Sequence, residues 1–162
     1  MDIPFEFGII HIVGNAAGRF FAVENYGAGN ERIGLLVNTT DPYDGVRPLD
    51  FRADEHTTRF QVQAVGNWTI EVLPITSARR LEVPGTIEGV GDDMIILLGG
   101  TPDLAKVKGN AGGRFFAVTG WGDRSDLLVN TTDPYDGTVI VSPDTVILEV
   151  EAIGEWSIEI TE

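Results

Sequence analysis

Asp41 and Asp44 stand three residues apart in the segment LLVNTTDPYDG, residues 35–45, and Asp133 and Asp136 keep that spacing in an identical segment at 127–137. Paired carboxylates have two chemical uses. A glycosidase holds its two acids roughly 5 to 9 Å apart across a cleft, whereas acids this close in a turn converge on one small site. Convergence suits a hard cation, and calcium takes oxygens from carboxylates, amides and backbone carbonyls alike. Asn38 with Asp41 and Asp44, and Asn130 with Asp133 and Asp136, are therefore the candidate calcium ligands, and Asp92 and Asp93 in GVGDD form a further acidic pair. A plain turn is the competing reading. Asp41 at its first position, Pro42 at the second and Gly45 as a permissive close need no ligand. That reading does not explain why Thr39, Thr40 and Tyr43 also recur, as Thr131, Thr132 and Tyr135.

Aromatic residues offer a second chemistry. Tyr26 and Trp121 occupy matching places after RFFAV, and Tyr43 and Tyr135 lie in the repeated turn. An exposed ring stacks on the apolar face of a sugar while acids and amides take its hydroxyls. Two such places on one chain make a bivalent carbohydrate-binding module, with the gain in avidity that bivalency brings.

Catalytic constellations are not legible. The two histidines, His11 in an apolar strand and His56 in a charged loop, have no counterpart in the second half. Cysteine is absent, and no Gly-x-Ser-x-Gly elbow, phosphate loop or zinc spacing occurs. The expectation is a protein that is not an enzyme. A net charge of −14, from 25 acidic and 11 basic residues, repels nucleic acid and anionic membranes and favours cations, glycans or other protein chains as partners. No run of 18 apolar residues predicts a membrane span, and MDIPFEFGIIHIVG lacks the basic region and cleavage site of a signal peptide. A cell-surface or extracellular setting is the expectation, with the cytoplasm as the alternative.

Short β-strands must position these residues. Gly and Pro number 20 and 8, β-branched residues abound, and no stretch has helical composition. Three blocks recur in order: GNAAGRFFAV with GNAGGRFFAV, the acidic segment, and VQAVGNWTIEV with VEAIGEWSIEI. The predicted fold is all-β, with two tandem homologous antiparallel β-sandwich modules of jelly-roll type, at 1–78 and 79–162, arising from an internal duplication. Alternation turns Val146, Leu148, Val150, Ala152, Trp156, Ile158 and Ile160 inward in the second copy. In the first it turns Phe60, Val62, Ala64, Trp68, Ile70 and Val72 inward. Eight strands are expected in the second copy. The first is short by one or two, and an open edge there invites pairing with another chain, a route to a self-assembling structural subunit or homo-oligomer. Strands closing on GNWTIEV and GEWSIEI after RFFAV resemble bacterial accessory β-modules of the pre-peptidase C-terminal type, and that resemblance implies a jelly-roll-like sandwich with an accessory role outside the cell.

Overall fold

The computed structural model describes residues 6–162 and is all-β, with one 3-10 turn at Ile75–Ser77 among the described residues. The chain divides into unit 1, ending at Ser77, and unit 2, Ala78–Glu162. Among the described residues unit 1 has six strands: β1 (Gly8–Gly14), β2 (Phe21–Tyr26), β3 (Arg32–Thr39), β4 (Tyr43–Leu49), β5 (Arg59–Gln63) and β6 (Trp68–Pro74). They form two antiparallel sheets, ordered β4-β1-β6 and β3-β2-β5. Unit 2 has nine: β7 (Arg79–Val83), β8 (Gly85–Val90), β9 (Asp93–Gly99), β10 (Leu104–Gly109), β11 (Phe116–Trp121), β12 (Ser125–Thr131), β13 (Tyr135–Ile140), β14 (Ile147–Ala152) and β15 (Glu155–Thr161). Their orders are β13-β10-β15-β8 and β12-β11-β14-β9-β7.

Strands that carry matching blocks take matching places. β10, β13 and β15 are arranged as β1, β4 and β6, and β11, β12 and β14 as β2, β3 and β5. Unit 2 then adds β8 beyond β15, and β9 with β7 beyond β14. Alternation decides what each strand buries. Ile10 and Ile12 on β1 meet Phe21 and Val23 on β2, so that side chains of both sheets form one cluster with Val37 and Leu49. Val107, Phe116, Val118, Leu148, Val150 and Ile158 do the same in unit 2. Each such side chain contributes about 1.5–3 kcal/mol on leaving water.

Several expectations need correction. Unit 2 has nine strands, because Gly85–Val90 pairs with β15 along its whole length despite its two glycines. The strand difference is three rather than one or two among the described residues. One pairing, β7 with β9, is parallel. The repeated acidic segment does not close at Gly45: Tyr43 already opens β4 and pairs with Gly14. Val146 is exposed because it lies just before β14, outside the alternation, and Ala64 is exposed just past the end of β5. Pro48 lies within β4 and is tolerated there because β4 is an edge strand.

Candidate functional site

The repeated turn is held by an asparagine from the preceding block. Asn15 has a left-handed backbone, φ 61°, which asparagine tolerates better than most residues. Its Nδ2 donates to the carbonyls of Arg19 and Asp41, the latter at 2.8 Å, while its Oδ1 accepts from the Arg19 amide at 2.7 Å. Asn110, φ 59°, repeats every bond: Nδ2 to the Arg114 carbonyl and, at 2.9 Å, to that of Asp133, and Oδ1 from the Arg114 amide at 2.7 Å. Thr39 Oγ1 accepts from the Asp41 amide at 3.0 Å, and Thr131 Oγ1 from that of Asp133 at 3.0 Å. Gly14 and Gly109 complete the device. A Cβ at either would stand 2.7 or 2.8 Å from the ring of Phe21 or Phe116, against which Tyr43 and Tyr135 pack. The two most similar blocks thus form one interlocked unit, which gives Thr39, Tyr43 and their counterparts a structural reason to recur. Sequence reasoning treated the blocks separately; the signal was the shared Gly-Asn pair.

The acids are distributed rather than gathered. Asp44 is exposed on β4 with its Oδ1 2.7 Å from His11 Nε2, and His11 Nδ1 stands 3.7 Å from Glu71. Asp136 faces Lys108 at 3.4 Å across β13 and β10. Such exposed pairs are worth little. Asn38 and Asn130 are exposed on β3 and β12. Asp92 Oδ1 accepts from the Ala152 amide at 2.8 Å. Asp93 is buried, accepts from its neighbour Met94 and pairs with Arg79 at 2.7 Å. Among the described residues, no three of His, Cys, Asp and Glu come together as a metal-holding group.

The aromatics end strands rather than standing in loops. Tyr26 closes β2 with Arg59 4.2 Å over its ring, and its hydroxyl donates to Glu24 Oε2 at 3.0 Å. Trp121 closes β11, half-buried, and donates from Nε1 to the buried Glu149 at 3.0 Å. The Glu24 bond, followed by burial and the Glu24 charge, holds the Tyr26 phenol above its ordinary value near 10. Because the folded pKa is raised, the protonated ring is the form the fold favours, and its contribution is lost as pH rises through that pKa. Ultraviolet titration therefore shows the Tyr26 phenol ionising above its ordinary value; Tyr26→Phe removes that step and Glu24→Gln moves it down. An unchanged titration in both variants refutes the assignment.

The sharpest difference between the units concerns their tryptophans. Trp156 is 3% exposed, its ring lies against Gly89 of β8, and its Nε1 donates to the Gly91 carbonyl at 2.9 Å. Trp68, in the matching place on β6, is 46% exposed, although its sequence reads as core. The cause is the missing neighbour, since no strand lies beyond β6 among the described residues. Phe60, Val62, Ile70 and Val72 are only partly buried, whereas Leu148, Val150, Ile158 and Ile160 are closed over by β8 and β9.

Unit 2 also carries a groove of about 680 Å³ bordered by Glu88, Val90, Lys108, Tyr135, Asp136 and Glu155. Two of its borders, Glu88 and Val90, belong to β8, which has no counterpart in unit 1 among the described residues. No family model and no curated protein matches this chain.

Proposed function

We propose that the chain is a non-enzymatic binding or structural protein whose first unit takes up polypeptide strands along β5 and β6. Each unit is read as a sandwich derived from one duplicated module, the first lacking, among the described residues, the strands that close the second. The single observation that carries this reading is the exposure of Trp68 beside the burial of Trp156. A row of unpaired backbone groups flanked by half-buried apolar residues is a template for strand addition. The cell exterior is the setting we favour, on the resemblance to accessory modules alone. Hydrogen exchange on the free chain tests the reading: amides of β5 and β6 exchange at least tenfold faster than those of β14 and β15. Equal protection in the two units, in dilute monomeric chain, sinks it.

The groove in unit 2 favours a second reading, a carbohydrate site in which Asp136 and Tyr135 serve one ligand. Glycan binding that survives in Tyr26→Ala and fails in Asp136→Ala would place it there, in one unit rather than two. For calcium, the support is the acidity of the turns, and the result that carries it is a melting temperature lowered by EDTA and restored by calcium.

A further inference from the structure

Unit 2 displays, residue by residue, what closes the side that unit 1 leaves open. β8 lies antiparallel to β15 with Gly89 opposite Trp156, Ile87 opposite Ile158 and Gly85 opposite Ile160. The chain then crosses to the other sheet, where β9 lies antiparallel to β14 with Ile95 opposite Leu148. Two consecutive strands in different sheets make a β-arch, and this one seals both edges and the apolar layer between them. The glycine is essential to it. A Cβ at Gly89 would stand 2.2 Å from the Trp156 ring, so no side chain fits opposite the indole.

Resting on the reading above, we propose that unit 1 binds a glycine-bearing β-arch supplied from outside residues 6–162. Its first strand runs antiparallel to β6 with glycine opposite Trp68 and a branched apolar residue opposite Ile70. Its second strand runs antiparallel to β5 with an apolar residue opposite Phe60. A second copy of this chain is a poor donor. β5 (RFQVQ) and β6 (WTIEVLP) contain no glycine, so joining two open sides sets a side chain against each Trp68. The arch that a copy does possess is already paired with its own β14 and β15. The donor also supplies, as Gly91 does for Trp156, a carbonyl for the Trp68 indole N–H.

The test uses this chain's own arch as the probe. A synthetic peptide of residues 85–100 is added to the full-length protein, and hydrogen exchange is read by mass spectrometry. The expected result is at least tenfold slower exchange in β5 and β6, with unit 2 unchanged, and no protection from the same peptide carrying Gly89→Val. Equal protection by both peptides overturns the glycine-bearing arch and leaves strand uptake standing. Protection of β5 and β6 in a dimer formed without peptide overturns the supplied arch, because a second copy then fills the side. No protection by either peptide, with these amides still fast, overturns the arch and strand uptake together. Where the peptide is insoluble, residues 78–100 are fused ahead of residue 6; the fused arch slows β5 and β6 exchange by the same factor, and a chain unchanged by the fusion overturns the proposal.

Discussion

Trp156→Ala lowers the stability of unit 2 by about 3–5 kcal/mol, the usual cost of emptying a tryptophan-sized volume in a closed core. In a unit of this size the loss lowers the melting temperature by roughly 12 to 40 °C. The variant removes a ring that is 3% exposed, leaves Gly89 facing a void and orphans the Gly91 carbonyl. Trp68→Ala, the same substitution at the matching place, costs unit 1 about 1 kcal/mol, because half of that ring already faces water. Urea denaturation, with exchange protection assigning each transition to its unit, measures both. The contrast is the informative quantity: equal losses would mean that Trp68 is packed as Trp156 is, and the open side of unit 1 would not exist. Gly89→Ala is a check from the opposite partner. Its new methyl collides with the Trp156 ring, so it destabilises unit 2 although it adds only one carbon.

Asn110→Asp is the second large effect, at about 3 kcal/mol. The substitution keeps the shape of the side chain but replaces an amide that donates to two carbonyls, those of Arg114 and Asp133, by an oxygen that repels both. The bond accepted from the Arg114 amide survives. Asn110→Ala removes all three bonds and sets alanine in a left-handed conformation, yet introduces no buried charge, so it is the milder change. The pH dependence separates the two. The new carboxyl has a folded pKa raised above its unfolded value. The charge part of its penalty is therefore absent below about pH 4, where the protonated group can donate to one of the two carbonyls, and grows as pH rises above that value. The alanine variant shows no such dependence. Asn15→Asp behaves alike in unit 1, since its bonds are the same. A penalty for Asn110→Asp that does not ease at low pH would show that the two carbonyls are not its cause.

Much of the architecture was legible in the residues. Val and Ile at period two, Gly and Asp at the turns and the order of the three repeated blocks led to strands, and the strands with matching blocks do take matching places. Which face a strand buries also followed wherever both neighbours were present, as for Trp156, Ile158 and Ile160. β8 escaped notice because GTIEGV carries two glycines, and glycine reads as punctuation until the ring that requires it is known.

The acidic segments mark the limit of such reading. Identity between the copies suggested a ligand, but identical letters arise equally when two backbones must be clamped in one way, and the clamp lies in another block. Asn15 and Asp41 are 26 residues apart, and only folding brings them to 2.8 Å. Trp68 and Trp156 carry the same pattern around them and meet different fates, because burial is set by the strand that lies next in the sheet rather than by the residues on either side. Strand content apart from β8, repeat order and the inward faces of strands paired on both sides are local properties, and the sequence by itself determined them. The exposure of Trp68, the pairing of Asp44 with His11 and the open edges of unit 1 depend on contacts between distant segments, and only the tertiary structure decided them.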